Sequence, residues 1–301
     1  MVALNARTID ETEYFYGHKA CAGCGGSLAV RIALKVLGEN AVAVLPAGCM
    51  SAVGFNFPQL CFGNNAIIST FAGTASMLTG IEAGLRAQGI TDFHAVGFAG
   101  DGGTADIGLQ ALSGAIDRND DILYICYDNE AYMNTGIQRS SATPRFADAT
   151  TTPVGSESYG KKQNKKDLTA IVAAHGVPYA AQTTMLGNFR DIHEKARRAI
   201  YTEGPCFLNV LAPCPRGWRY EMEDLAEICQ LAVDTCVWPL YEVVDGEWRL
   251  TYEPRNKRPV SDFLERQGRF AHMFRPGNEW MIEEAQQYVD EKWEKLLARC
   301  K

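Results

Sequence analysis

The sequence predicts an α/β fold in which helices flank a parallel β-sheet, followed by a C-terminal extension. Short apolar runs with strand character alternate along the chain with segments whose apolar residues recur at helical intervals. Most segments between the runs are long enough for the right-handed crossovers that connect parallel strands. In chain order we predict helix 28–37, strand 41–45, strand 66–71, helix 75–87, strand 93–99, helix 107–117, strand 122–126, helix 168–175, strand 179–183, helix 189–202 and strand 207–211.

The strand 93–99 is the most informative element, because it leads directly into a glycine-rich turn and then a helix. The turn consists of Gly100, Asp101, Gly102 and Gly103. Ligands of open α/β sheets bind beyond the carboxyl ends of the strands, and glycine lets a ligand approach the main chain. The start of the following helix offers backbone N–H groups to a phosphate. We therefore expect a phosphate-bearing ligand at this turn.

A second polar group follows the next strand, 122–126, where Asp128 and Asn129 come beside the turn. A bare Asp101 carboxylate would repel a pyrophosphate, whereas a magnesium ion held between them makes the same placement favourable. Carboxylate, amide and phosphate oxygens suit that ion. The two strand ends therefore predict a diphosphate bound through Mg²⁺.

One alternative is a dinucleotide site. Gly100-x-Gly102-x-x-Ala105 also fits the dinucleotide-binding pattern. Asp120 and Asp121 follow it by roughly 20 residues, the sequence spacing expected of a residue that binds the ribose. This interpretation predicts a Rossmann-type NAD-dependent dehydrogenase, but it leaves the Asp101 carboxylate inside the phosphate-binding turn unexplained.

The residues that follow the turn resemble a known family. The run from Gly100 to Pro144, GDGGTADIGLQALSGAIDRNDDILYICYDNEAYMNTGIQRSSATP, is similar to the beta subunits of the 2-oxoacid:ferredoxin oxidoreductases, the group that includes pyruvate synthase. An asparagine, Asn129, stands 28 positions after Asp101, as in the thiamine diphosphate motif. The resemblance spans residues 17–218.

The resemblance implies specific roles around the turn. Asp101, Asn129 and the backbone carbonyl of Ala131 would hold Mg²⁺, and the glycine-rich turn would hold the diphosphate of thiamine diphosphate. Asn134 would lie near the reacting carbon. Glu82 does not match the glutamate that activates the coenzyme, since in the family that residue comes from a partner chain.

The cysteines give a second line of argument. Ten cysteines in 301 residues, with no secretory segment before them, indicate reduced thiols in a cytoplasmic protein. Cys21-x-x-Cys24 is a close pair that suits a dithiol, half of a zinc site or half of an iron–sulfur site. Cys49 and Cys214 follow predicted strands and are plausible further ligands of a cluster. Cys206 is an alternative to Cys214, but its strand context favours packing.

The resembling family has a 4Fe-4S cluster at these four cysteines. A zinc site would usually need a second close pair of Cys or His, which the chain does not contain. A zinc or dithiol binding subunit without thiamine remains the other alternative.

Composition agrees with a soluble cofactor-binding subunit. The hydrophobic fraction of 47% supports a large core, and the formal charge of −7, with no basic run, argues against nucleic-acid binding. No apolar run is long enough to span a membrane.

Two regions depart from the α/β rhythm. Residues 133–166 read as a long loop over the site, and we expect a lid with a solvated charge cluster at Lys161–Lys166. The chain divides into a thiamine diphosphate and iron–sulfur domain, 1–218, and an extension, 219–301, packed on that domain or on a partner subunit. The extension is expected to contain a hairpin around residues 244–246 and a final helix, 279–297.

The resemblance implies half of a thiamine site in a heteromeric complex. An alpha subunit would supply the pyrimidine-binding half and the activating glutamate, with gamma and ferredoxin-like subunits as further partners. A 2-oxoacid would be decarboxylated to an acyl-CoA, and electrons would pass through the cluster to ferredoxin or another acceptor.

The substrate is less determined. The segment 50–60 departs from the Pro-Trp-(Ile/Val)-His pattern of many pyruvate-type relatives, which weakens a pyruvate assignment. Phe55, Phe57 and Phe71 can shape a pocket for an aromatic acid such as phenylglyoxylate, although each also suits core packing.

Overall fold

A computed structural model of the chain describes residues 12–185 and 190–300. Its strands are β1 (Ala41–Pro46), β2 (Phe55–Asn56), β3 (Gln59–Leu60), β4 (Asn65–Ser69), β5 (His94–Gly100), β6 (Leu123–Asp128), β7 (Tyr179–Thr184), β8 (Cys206–Leu211), β9 (Tyr241–Val244) and β10 (Glu247–Leu250). Eight of them form one sheet in the order β10-β9-β7-β8-β6-β5-β1-β4, and β2 pairs with β3 in a separate hairpin. The six strands from β4 to β7 in this order are parallel, and β9 and β10 add an antiparallel edge.

The helices cover both faces of the sheet. They are α1 (Gly25–Leu37), α2 (Cys49–Gly54), α3 (Thr74–Ala87), α4 (Leu109–Asp117), α5 (Leu168–Ala173), α6 (Arg190–Ile200), α7 (Pro215–Trp218), α8 (Leu225–Asp234), α9 (Val260–Glu265) and α10 (Glu279–Arg299). Along β5, Ala95 and Ala99 join one buried cluster with α3, α4 and α5, whereas Val96 and Phe98 join the other with α1 and α6. This alternation, which follows from the two-residue period of a strand, buries both faces of the sheet.

The predicted fold class is confirmed. Each of the six predicted strands and five predicted helices has a counterpart within a few residues, except that Phe189, the predicted start of one helix, lies outside the described residues. The sequence did not predict α2, the β2–β3 hairpin, or the π-helical turn Gly102–Asp106 that precedes α4. π-Helical turns often occur at functional sites.

The residues after Trp218 extend the same sheet. The predicted hairpin is β9–β10, and β9 pairs with β7. Phe263 and Trp293 belong to the buried cluster that also contains Tyr124 of β6. These residues therefore share a core with the first part of the chain, and the division at residue 218 stays a prediction. Within the described ranges, the helices are too short or too polar to cross a membrane.

Candidate functional site

The glycine-rich turn follows the carboxyl end of β5, and it is too tightly packed for a side chain at Gly102 but not at Gly103. A Cβ atom on Gly102 would lie 2.6 Å from the ring of Tyr132, and one on Gly103 would lie 3.5 Å from Phe71. The Thr104 hydroxyl donates a hydrogen bond to the carbonyl of Gly100 at 2.8 Å. The turn thereby places Asp101 at a fully buried position, with 0% of its surface exposed.

Three groups converge on one point beside this turn. The side-chain amide of Asn129, which follows β6, lies 3.0 Å from Asp101 Oδ1 and 3.0 Å from the carbonyl oxygen of Ala131. With its nitrogen inward, the amide donates a hydrogen bond to each oxygen. With its oxygen inward, the amide brings an oxygen to 3.0 Å from both the Asp101 carboxylate and the Ala131 carbonyl. An octahedral magnesium ion with bonds of about 2.1 Å separates neighbouring ligands by about 3.0 Å. The donor set and its spacing fit one Mg²⁺ ion.

The charges around Asp101 support a cation at this point. Lys165 pairs with Asp128 at 2.7 Å and with Glu130 at 2.8 Å, and Arg269 pairs with Glu130 at 2.5 Å. Of these three buried carboxylates, Asp101 is the one that no lysine or arginine of the described residues contacts. Burial, and then the charge of Asp128, raises the pKa of Asp101 well above its ordinary value. A divalent ion would supply the missing charge.

Asn129 and Ala131 also line a small pocket, beside which Asp101 is buried. Its walls come from Cys49 after β1, from Gly100, Gly102 and Gly103 after β5, and from residues 129 and 131–135 after β6. Asn134 is exposed on this pocket. The structure therefore brings together the predicted diphosphate, magnesium and reaction residues at neighbouring strand ends.

The four predicted cluster cysteines lie on three segments that meet beside the pocket. The amide of Gly25 donates to the carbonyl of Pro213 at 3.1 Å, and the amide of Lys19 donates to the carbonyl of Val53 at 3.2 Å. These bonds join the Cys21–Cys24 segment to the segment of Cys214 and to α2, which begins at Cys49. The sheet alone would keep these segments apart, since β5 and β6 separate β1 from β8.

The thiols are close enough to influence one another. Burial, with further contributions from Cys214, Cys24, Asp101 and Cys21, raises the pKa of Cys49 to about 12. No three His, Cys, Asp or Glu side chains in residues 12–185 and 190–300 are placed to hold a single metal ion. The four cysteines therefore lie near one another, but they do not form a ready site for a single ion in the described part of the chain.

The structure separates Cys206 from Cys214. Cys206 is buried at the beginning of β8, where it pairs with Leu123, whereas Cys214 follows the other end of the strand, where Leu211 pairs with Asp128. Cys206 therefore lies at the edge of the sheet opposite the pocket.

The dinucleotide interpretation does not fit this geometry. Asp120 and Asp121 precede β6, at the edge of the sheet opposite the glycine-rich turn. Asp120 accepts a hydrogen bond from Thr79 at 2.6 Å, and Asp121 pairs with Arg86 at 2.8 Å. Both carboxylates are already paired at this opposite edge, far from a ligand bound at the turn.

The prediction of a solvated charge cluster at Lys161–Lys166 is wrong for three of its four lysines, whereas Lys162 is exposed. Lys161 is 1% exposed, and its ammonium donates to the carbonyl oxygens of Ser141 and Thr143. Lys165 lies in the buried ion network, and Lys166 donates to the carbonyl of Ala105. These contacts were not predictable from the sequence, because the partners lie far away along the chain and no local pattern connects them.

The structure also shows the surroundings of the three candidate pocket phenylalanines and of Glu82. Phe71 lines the pocket, Phe55 packs on Phe62 with ring centroids 5.3 Å apart, and Phe57 is 96% exposed. Glu82 pairs with Arg86 on α3, which agrees with a structural role.

A larger cavity of about 190 Å³ lies between the lid, the β9–β10 hairpin and α10. Its walls are mainly apolar, and it is lined by none of the predicted site residues. We therefore place the candidate site at the smaller pocket, where the polar strand ends converge.

The chain is similar to known proteins over most of its length. The family model described as thiamine pyrophosphate enzyme, C-terminal TPP binding domain, matches residues 46–210. The chain is 46% identical to pyruvate synthase subunit PorB of Methanothermobacter thermautotrophicus, over 96% of this chain and 99% of that protein. It is 44% identical to ketoisovalerate oxidoreductase subunit VorB of Pyrococcus horikoshii, over 95% and 93% of the two chains.

A solved structure shares the fold. The 2-oxoglutarate:ferredoxin oxidoreductase of Magnetococcus marinus, with 2-oxoglutarate, coenzyme A and succinyl-CoA bound, has a TM-score of 0.57. The match covers 75% of this chain and 81% of that one at 22% identity, and it shows a common architecture alone.

Proposed function

Because this chain belongs to the beta subunits of the 2-oxoacid:ferredoxin oxidoreductases, we propose that it holds thiamine diphosphate through one Mg²⁺ ion and carries a 4Fe-4S cluster. The complex would oxidatively decarboxylate a 2-oxoacid to an acyl-CoA. The observation that carries this proposal is the meeting of Asp101, Asn129 and the Ala131 carbonyl on one point beside a glycine-rich turn.

Each part of the site has a role that follows from its chemistry. Asp101, Asn129 and the Ala131 carbonyl would hold the ion, and the bare main chain of Gly100–Gly103 would admit the diphosphate. When bound, thiamine diphosphate supplies the electron sink that lets a 2-oxoacid lose carbon dioxide. Asn134, exposed on the pocket, would orient a polar group of the substrate by hydrogen bonding.

The cluster would lie next to the coenzyme. Cys49 both lines the pocket and belongs to the group of four thiols. Cys21, Cys24, Cys49 and Cys214 would bind the irons, so a cluster there could accept electrons one at a time from the neighbouring site. Ferredoxin is the proposed final acceptor.

The proposed partner subunits would supply groups that the described part of the pocket does not contain. Its walls, as far as the described residues form them, include no glutamate. The acid that activates the coenzyme would therefore come from an alpha subunit, together with the pyrimidine-binding half of the site. Gamma and ferredoxin-like subunits and coenzyme A, as acyl acceptor, would complete the system.

For the substrate we propose pyruvate or a branched 2-oxoacid. The two relatives that support this are named for pyruvate and for ketoisovalerate, and each aligns over nearly the whole chain. An aromatic acid such as phenylglyoxylate has weaker support, because Phe71 is the one phenylalanine of the three candidates that lines the pocket.

The test is a composition measurement on the intact complex, isolated anaerobically. Thiamine diphosphate, magnesium, iron, acid-labile sulfide and zinc are measured per copy of this chain, for the wild type and for Asp101→Asn. We expect the variant to lose thiamine diphosphate and 2-oxoacid oxidation while keeping its iron. Asp106→Asn, a control in the same turn whose carboxylate bonds Tyr132 and Ser141, should keep the coenzyme.

The substrate is assayed on the same material, with coenzyme A and a viologen dye as electron acceptor. Pyruvate, 3-methyl-2-oxobutanoate and phenylglyoxylate are compared by kcat/KM. A wild-type complex without thiamine diphosphate, or an Asp101→Asn complex with full activity, would contradict the proposal.

A further inference from the structure

Glu130 occupies an unusual position between two of the proposed magnesium ligands. Its φ angle is +65°, in the left-handed region that side-chain-bearing residues rarely adopt. Across this residue the side-chain amide of Asn129 and the carbonyl of Ala131 meet at 3.0 Å. The conformation of Glu130 therefore sets whether these two groups face the same ion.

Four hydrogen bonds hold Glu130 in this conformation. Its amide donates to Asp128 Oδ1 at 3.1 Å, and its carbonyl accepts from the Thr143 hydroxyl at 2.6 Å. Its carboxylate accepts from Lys165 at 2.8 Å through one oxygen and from Arg269 at 2.5 Å through the other. Glu130 is 2% exposed, and the bonds from Thr143 and Arg269 are buried, whereas Lys165 is partly exposed.

Arg269 acts on the same loop by a second route. Its guanidinium carbon lies 3.9 Å from the ring centre of Trp218, and the Trp218 indole donates to the carbonyl of Asn129 at 2.9 Å. Two further bonds, at 2.9 and 2.7 Å, join the guanidinium to Gln267 Oε1. Arg269 is 3% exposed. One buried side chain from the last third of the chain thus supports both Asn129 and Glu130.

We propose that Glu130 and Arg269 are a positioning pair that shapes the magnesium site before the ion arrives. Their ion pair would fix the left-handed turn, so that Asn129 and Ala131 already present oxygens to one cation. Both residues act through the ligands and touch neither the ion nor the coenzyme. This inference rests on the proposed function, because it concerns the affinity of that same site for Mg²⁺.

A purely structural ion pair would have a different signature. Such a pair would lower the melting temperature when broken but leave the magnesium requirement unchanged. A positioning pair changes the affinity for the ion, because groups that support metal ligands commonly alter metal affinity by 10- to 100-fold when they are replaced. The magnesium requirement therefore separates the two roles.

The experiment uses the intact complex after removal of divalent ions with a chelator. Bound thiamine diphosphate is measured by equilibrium dialysis at a fixed total concentration, while Mg²⁺ is varied. We expect Glu130→Gln and Arg269→Met to raise the Mg²⁺ concentration at half-saturation by about tenfold or more. Arg269→Lys, which restores a cation, should recover part of this loss.

Two features of the design keep the result interpretable. Arg266→Met removes an exposed ion pair with Glu227, three positions from Arg269, and should leave half-saturation unchanged. Glu130→Gln keeps the side-chain volume, and Lys165 keeps its pair with Asp128, so this variant gives the answer even if Arg269→Met fails to fold.

The outcomes are distinct. Half-saturation at the wild-type Mg²⁺ concentration in a folded Glu130→Gln complex would overturn the positioning role, whatever the melting temperature. If the wild-type complex itself bound no thiamine diphosphate at any Mg²⁺ concentration, the proposed function would fail, and the positioning role with it.

Discussion

The glycine-rich turn offers a sharp test, because Gly102 and Gly103 predict opposite responses to the same change. In Gly102→Ala the new methyl group would lie 2.6 Å from the Tyr132 ring, about 1 Å closer than carbon atoms favour. The ring cannot move freely, since its hydroxyl bonds Asp106 at 3.0 Å and the ring packs against Phe71. In Gly103→Ala the nearest atom is 3.5 Å away, an ordinary contact.

The expected magnitude follows from these distances. Overpacking of a tight site costs about 1–3 kcal/mol in the free energy of unfolding, partly offset by about 1 kcal/mol from replacing glycine in a helical turn. We expect Gly102→Ala to lower the free energy of unfolding by up to about 2 kcal/mol. Gly103→Ala has the same helical gain without the clash, and we expect it to raise the free energy of unfolding by up to about 1 kcal/mol. Both are measured by chemical denaturation without coenzyme.

A double-mutant cycle identifies the cause. If the Tyr132 ring is responsible, then adding Gly102→Ala to a Tyr132→Ala background should cost little, because the obstructing ring is gone. An undiminished penalty in that background, or equal stability of the two single alanine variants, would refute the packing argument.

Two further predictions concern the thiols and the lid. In Cys214→Ser the iron and acid-labile sulfide per chain should fall, or the cluster spectrum should change, because a proposed ligand is lost. Cys206→Ser, at the far end of β8, should leave the iron content and the spectrum unchanged. The reverse result would exchange the two assignments. Burial lowers the pKa of Lys161 to about 8 from its ordinary 10.5, so the folded state holds fewer protons than the unfolded state between these values. Stability should therefore rise with pH across that window, by up to about 3 kcal/mol relative to Lys161→Met, and parallel pH profiles of the two proteins in denaturation experiments would contradict this.

The parallel sheet was readable from the sequence because its signals are local. The strand ending at Gly100 is an uninterrupted apolar run, and a run of this kind indicates a strand buried on both faces. The antiparallel edge was not readable in the same way. The hairpin around residues 244–246 was predicted, but its pairing with β7 depends on contacts between residues more than fifty positions apart.

The candidate site was likewise predictable from the sequence only where its signals are local. The glycines, Asp101 and Asn129 were found because each follows a strand, and the strand order brings their ends together. The π-helical turn was missed because its five-residue hydrogen bond, from the amide of Ile107 to the carbonyl of Gly102, has no sequence period of its own at this length.

The buried ion network shows why charge patterns mislead when they are read locally. Lys165 stands among lysines in a polar loop and reads as solvated, yet it is held by Asp128 and Glu130. Glu130 in turn meets Arg269, 139 positions away. Buried charges persist when each finds a partner, and this pairing leaves Asp101 as the carboxylate that the proposed Mg²⁺ ion would neutralise. The sequence reveals the proposed ligands Asp101 and Asn129, but it conceals the ion pairs that set the charge around them.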